Sequence, residues 1–290
     1  MNIKEAYAFG IDALTYGLYL QNNDDLKRQI ESDVYFLLSS LVNKNISFIK
    51  TQPSHQLSEQ DEEKFKTWLA RRLSLEPVQY ITGETSFFSL DFYVGKGVLI
   101  PRQDTETLVE KAIEHFNDKN KSYKFLDMCC GSGCIGISIL KSFPNSTCMF
   151  VDKYSTPLDY TLKNIKRHNV ENRSTVTRSD LFSELDKNLK FDAIFCNPPY
   201  INPQELKSIS LQITLFEPTE ALNGGNDGLY YYRQVADSAL NFLKPCAPLL
   251  LEIGYNQAKD VSKLFKGWSK NQIFNDLAGN PRILKTFKEG

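Results

Sequence analysis

The chain has 290 residues, 41% of them hydrophobic, enough to bury one large core or one domain beside a smaller one, and the second arrangement is expected. Its formal net charge of −1, with both signs mixed along the chain, excludes the strong basic field of a protein held to nucleic acid by charge alone. No apolar run approaches the roughly 20 residues of a membrane span, and the stretch after Lys4 and Glu5 lacks a signal peptide's apolar centre, so a cytoplasmic protein without membrane association is expected.

Apolar residues first recur at helical spacing through Ile3, Tyr7, Ile11, Leu14 and Leu18, then Leu26, Ile30, Val34, Leu37 and Leu41, then Phe65, Trp68, Leu69 and Leu73. They predict a small all-helical domain over residues 1–84, with Ser58 and Asp61 capping its last long helix and Pro77 marking that helix's end. No catalytic pairing occurs there, so the domain reads as packing or as a surface that selects a macromolecular substrate. Residues 85–100 switch to aromatic and β-branched types broken by Gly95 and Gly97, which predicts a β-hairpin linker.

From residue 101 to 290 the pattern is α/β. A helix through Leu108 to Phe116 precedes a strand at Phe125–Cys129, a helix from Cys134, a strand at Thr147–Val151, a helix to about His168, and strands at Thr175–Thr177 and Phe191–Cys196. A helix at Tyr230–Leu243, a strand at Pro248–Ile253, a helix to Phe265 and strands at Gln272–Phe274 and Ile283–Phe287 follow. This alternation predicts a Rossmann-like parallel sheet covered on both faces, with ligands at the C-terminal strand ends. The six cysteines have no zinc-site spacing and His55, His115 and His168 are scattered, so no metal site and no catalytic histidine are expected.

Gly131, Gly133 and Gly136 spell G-x-G-x-x-G between a strand and a helix, and Asp152 closes the next strand. Glycines let a backbone approach an adenosyl ligand, and a carboxylate at position 152 would accept both ribose hydroxyls. Asp127, at the end of the first strand, would repel a pyrophosphate but favour the ammonium and sulfonium of S-adenosylmethionine. Taken alone the loop also fits a nicotinamide-dependent oxidoreductase, or a tight turn with one structural aspartate. Asp180 is placed to accept an adenine amino group with Leu181 beside it, and fits a helix N-cap equally well.

Asn197-Pro198-Pro199-Tyr200 ends the fourth strand, a tetrapeptide that chance supplies in about one such chain in a thousand. An amide nitrogen must be held where its delocalised lone pair can point at a methyl group. The Asn197 side-chain oxygen and the Pro198 carbonyl can each accept one of its N–H groups, and Tyr200 offers a flat π face.

On these residues the sequence resembles the HemK-type release-factor glutamine methyltransferases, from about Glu76 onward, through EPVQYITGE, GVLIPRQDTETLVE, LDMCCGSG, NPPYI, FEPTEALNGGNDGLYYYR, LLLEIGYNQA and DLAGNPR. The resemblance implies transfer of a methyl group from S-adenosylmethionine, leaving S-adenosylhomocysteine, to N5 of the glutamine in the Gly-Gly-Gln segment of peptide chain release factors. It implies a docking role for the helical domain and hairpin, no nucleic-acid substrate, and a chain that works as a monomer. It also implies cofactor contacts at Cys129, Cys130, Gly131, Ser132, Gly133, Asp152, Leu181 and Asn197, and glutamine contacts at Asn197, Pro198, Pro199 and Tyr200. Arg102 matches a family arginine without a derivable role. The chain departs from the family pattern in two places: Cys129 stands where glycine is usual, so the backbone there is expected to need no glycine-only conformation, and Lys244-Pro245-Cys246-Ala247 replaces a usual K-P-G-G turn. Rival substrates are a ribosomal-protein glutamine and, with less support from charge, an adenine amino group. A catalytically silent binding protein on the same fold is a last alternative.

Overall fold

The computed structural model describes residues 1–17 and 24–289, divided into two compact units, Met1–Gly83 and Glu84–Gly290. The first holds helices α1 (Ile3–Gly17), α2 (Asp24–Val42), α3 (Ile46–Thr51), α4 (Glu59–Leu73) and α5 (Val78–Thr82). The expected apolar stripes face its core: Ile3, Leu14, Ile30, Val34, Leu37, Phe65 and Leu69 are buried, while Leu18 lies outside the described residues. Ser58 caps α4 as its spacing predicts, its hydroxyl accepting the Asp61 N–H at 3.1 Å. Pro77 does more than end a helix, since it stands at the N-cap of α5. A buried ion pair, Arg72 to Asp33 at 2.7 Å, joins α4 to α2.

In the second unit the hairpin β1 (Glu84–Phe87) and β2 (Leu90–Tyr93) comes first. Its Phe87 and Phe92 are buried in that unit's core, and the Tyr93 N–H donates to Asn164 Oδ1 at 2.7 Å. The segment read as a linker is thus part of the second unit. After α6 (Glu106–His115) the alternation runs β3 (Lys124–Met128), α7 (Cys134–Ser142), β4 (Thr147–Asp152), α8 (Ser155–Arg167), β5 (Ser174–Arg178) and β6 (Ala193–Cys196). Two short helices absent from the sequence reading follow, α9 (Pro203–Leu206) and α10 (Leu211–Phe216); neither is long enough to show a periodic apolar stripe. The chain closes with α11 (Tyr230–Ser238), β7 (Pro248–Glu252), α12 (Ala258–Leu264), β8 (Ser269–Asn275) and β9 (Pro281–Phe287).

The strands form one sheet in the order β5-β4-β3-β6-β7-β9-β8. It is parallel from β5 to β7, and β9 pairs antiparallel with both β7 and β8. Only the short 276–280 segment joins β8 to β9, too little for a parallel crossover. Alternate strand residues feed cores on opposite faces: Phe125 joins the cluster beneath α6 and α7, and Leu126 and Met128 join the one beneath α11 and α12. Among the described residues no helix is long and apolar enough to cross a membrane.

Candidate active site

Strand order reverses between β3 and β6, so the chain leaving these two neighbours diverges and opens a crevice at their C-terminal ends. A cavity of about 280 Å³ lies there. It brings together Cys129, Cys130, Gly131 and Ser132 from the loop after β3, Asp152 from β4, Asp180 and Leu181 after β5, and Asn197 and Pro199 after β6. Gly133, Pro198 and Tyr200 flank it without lining it; Pro198 is buried and Tyr200 half-buried.

The loop after β3 is held by its own backbone, by β4 and by α8, from which the Thr161 hydroxyl donates to the Gly131 carbonyl at 2.9 Å and Asn164 Nδ2 to the Ser132 carbonyl at 2.9 Å. The Cys130 N–H donates to the Val151 carbonyl at 3.0 Å, the Gly133 N–H to the Cys130 carbonyl at 2.7 Å, and the Gly131 N–H to Asp152 Oδ2 at 3.1 Å. Asp152 is thereby fixed with its other oxygen on the Tyr154 N–H at 3.1 Å, and burial pushes its carboxyl above the ordinary range. Gly136 serves packing: a Cβ there would come within 2.5 Å of the Phe150 ring, so only glycine lets α7 lie this close to the sheet.

One expectation for this loop is corrected and another is qualified. Asp127 does not face the cavity; strand alternation turns it to the same face as Phe125, where it is 0% exposed beneath α7. Its Oδ2 accepts the Gly136 N–H at 2.8 Å, its Oδ1 has no partner among the described residues, and burial pushes its carboxyl well above the usual carboxylate range. Asp127 therefore props the helix start from behind and does not meet a ligand's ammonium. Cys129 has φ +58°, in the left-handed region that other residues enter only with strain, so the position needs no glycine-only conformation, as expected, but does favour glycine.

Asp180 is paired with Lys153 at 2.6 Å, both half-exposed on the cavity edge. Arg102 lines the cavity and pairs at 2.5 Å with Glu217, whose other oxygen accepts the Ile100 N–H at 3.1 Å. The arginine thus joins its own segment to the one preceding Pro218.

The segment after β6 is held by residues far away in sequence. Asn197 Nδ2 donates to Thr105 Oγ1 at 3.4 Å, Thr105 Oγ1 donates to Glu252 Oε2 at 2.6 Å, and the Tyr200 hydroxyl donates to Glu252 Oε1 at 3.2 Å. The Tyr200 carbonyl accepts from Gln257 Nε2 at 2.9 Å. Gly224 presses on the same backbone, since a Cβ there would stand 2.6 Å from Tyr200 Cα.

Family models place these features. The methyltransferase small domain model matches residues 104–226 and the PrmC N-terminal domain model matches residues 20–83. A release factor glutamine methyltransferase from Clostridium botulinum is 37% identical over 260 residues, 88% of this chain and 91% of that protein. Another, from Thermodesulfovibrio yellowstonii, is 37% identical over 222 residues, 76% of this chain and 79% of that protein. The chain belongs to the release factor glutamine methyltransferase family. A solved methyltransferase from Pyrococcus furiosus has the same fold, with a TM-score of 0.52 at 18% identity over 78% of this chain and 100% of that chain.

Within this family member, sequence reasoning missed Thr105, Glu252 and Gln257. Thr105 and Glu252 stand in the PRQDTE and LLLEIG segments that carry the resemblance, but nothing local says that they meet. The one signal was Glu252 itself, a carboxylate closing an otherwise apolar strand, which is 1% exposed.

Proposed function

We propose that the chain transfers a methyl group from S-adenosylmethionine to the side-chain amide nitrogen of the glutamine in the Gly-Gly-Gln segment of peptide chain release factors. The observation that carries this reading is the placement of Asn197 on the wall of the same cavity that Asp152 and the glycine loop line. The cavity suits an adenosyl ligand with a polar tail: Ile135 and Leu181 supply apolar wall, the Asp152 carboxylate faces ribose hydroxyls, and buried Ser132 Oγ has no protein partner among the described residues. Bound there, S-adenosylmethionine supplies an electrophilic methyl on a sulfonium, and its carbon–sulfur bond breaks as the new nitrogen–carbon bond forms.

Asn197 Oδ1 and the Pro198 carbonyl accept the two N–H groups of the glutamine nitrogen, turning its lone pair toward the methyl and favouring the positive charge that develops there. Proline at 198 offers an acceptor with no competing N–H. The methylated amide cation is strongly acidic and gives its proton to water, so no basic side chain is needed. Glu252 is not that base, because both its oxygens are engaged by hydroxyls. Residues 1–84 would dock the release factor, the chain would act as a monomer, and a translation-factor substrate would put it in the cytoplasm.

The test is transfer of labelled methyl to purified release factor, beside the same factor with the glutamine of Gly-Gly-Gln replaced, a ribosomal protein and DNA. Label that requires that glutamine supports the proposal. Label on ribosomal protein or DNA alone overturns the substrate assignment.

A further inference from the structure

The Asn197 amide can face its cavity in two ways, presenting oxygen or nitrogen, and only the first serves a substrate N–H. Register pairs Cys196 of β6 with Leu251 of β7, so Asn197 and Glu252 leave the sheet side by side. Thr105, 2% exposed just before α6, sits between them, with its hydroxyl 2.6 Å from Glu252 Oε2 and 3.4 Å from Asn197 Nδ2. Both Glu252 oxygens accept from hydroxyls, Oε1 from Tyr200 and Oε2 from Thr105, so the single Thr105 proton goes to Glu252. Threonine is then left with lone pairs toward Asn197, and those lone pairs must meet the amide's NH₂. The opposite orientation would set oxygen against oxygen and offer the substrate a donor where it needs an acceptor. The second carboxylate oxygen takes the Tyr200 hydroxyl at 3.2 Å, fixing the same segment at its other end.

We propose that Glu252 and Thr105 are positioning residues that set the direction of the Asn197 amide, holding its oxygen toward the substrate nitrogen. The inference rests on reading Asn197 as an acceptor for that nitrogen.

The experiment compares the full-length parent with Glu252→Gln, Thr105→Val, Thr105→Ser and the Glu252→Gln/Thr105→Val pair. It measures kcat and KM on release factor, S-adenosylmethionine affinity by calorimetry, and Tm. Glu252→Gln keeps shape but brings a donor, and Thr105→Val keeps shape but removes the hydroxyl. Each should lower kcat about 10- to 100-fold, with cofactor affinity within about twofold of the parent. Thr105→Ser should recover most of the valine variant's loss, and the pair should be no worse than its poorer single member, because both break one chain. If Glu252→Gln does not fold, the valine and serine variants still decide. Parental kcat in Thr105→Val, or equal losses in Thr105→Val and Thr105→Ser, would overturn the relay while leaving the proposed function intact. A parent that methylates no release factor would instead remove the underlying reading.

Discussion

The two segments that meet at the cavity are built on opposite plans. The loop after β3 is supported from its own and the next β-α unit: Asp127 holds Gly136 across 9 residues, Asp152 holds Gly131 across 21, and Thr161 and Asn164 of α8 hold Gly131 and Ser132 across 30 and 32. The segment after β6 is supported at long range, with Asn197 reaching Thr105 across 92 residues and Tyr200 reaching Glu252 across 52. A cofactor that is the same in every turnover suits a loop braced by the β-α unit that directly follows it. The acceptor side must fix one amide's direction, and it draws on Thr105 before α6 and Glu252 at the end of β7 to do so.

If the segments divide the work in this way, variants should separate into those that lose transfer and those that lose cofactor. The largest effect is expected from Asn197→Ala, which should lower kcat about 100- to 1000-fold, as loss of one acceptor aimed at developing charge does, while cofactor affinity in calorimetry stays near the parent's. Equal activity of variant and parent would end the division at once. Gly224→Ala should come next. Its new Cβ, 2.6 Å from Tyr200 Cα, forces backbone to move, which should cost about 1–3 kcal/mol in denaturant unfolding and lower kcat without touching the glycine loop. Asp152→Ala should do the converse, weakening cofactor binding by roughly tenfold or more, as expected for a charged hydrogen-bond partner, before kcat changes at saturating cofactor.

That contrast also explains what was legible in the sequence. Helical stripes, the hairpin and the alternating strands follow from periodicity, and Gly131, Asp152 and Asn197 from spacing within one β-α turn, because their causes lie within a few residues. Thr105 and Glu252 become visible only when β6 and β7 are set in register, which no local pattern reveals. Strands at β8 and β9 were expected, but the antiparallel pairing of β9 with both neighbours was not, because pairing direction depends on what joins the strands. Asp127 was misassigned for another reason. Its position at a strand end suggested a ligand contact, whereas alternation with Phe125 assigns it to the buried face.

Asp127 yields a smaller, pH-dependent effect on the cofactor side. Its folded carboxyl titrates above its unfolded value because burial disfavours the charge, so the stability it contributes is complete below the unfolded value of about 4 and is lost as pH rises through the folded one. Asp127→Asn mimics the protonated form and removes that dependence. The Tm of the variant minus that of the parent should therefore be near zero in acid and grow as pH rises toward neutrality. Asp152 shifts in the same direction and its charge helps raise Asp127, so the difference reports the burial of Asp127 together with its repulsion from Asp152. A difference in Tm that does not change with pH would mean that Asp127 carries no such strain.

The smallest effect concerns Cys129 and Cys246, the two cysteines at which the sequence resemblance implies glycine. Both are left-handed, Cys129 at φ +58° and Cys246 at φ +60°, and each bears about 1–2 kcal/mol of backbone strain that glycine would relieve, against glycine's entropic cost of about 0.5–1 kcal/mol. At Cys246 the side chain is exposed, so nothing further is lost and Cys246→Gly should raise stability by up to about 1 kcal/mol with kcat unaltered. At Cys129 the side chain is half-buried, packs on the core beneath α11 and lines the cavity, so the packing lost offsets the strain relieved. Cys129→Gly should leave stability nearly unchanged and act on cofactor affinity instead. Denaturant midpoints and calorimetry on the two variants measure both quantities. An equal gain in stability at both positions would show that the Cys129 side chain contributes nothing to the core it touches, and that its effect on the loop is backbone strain alone.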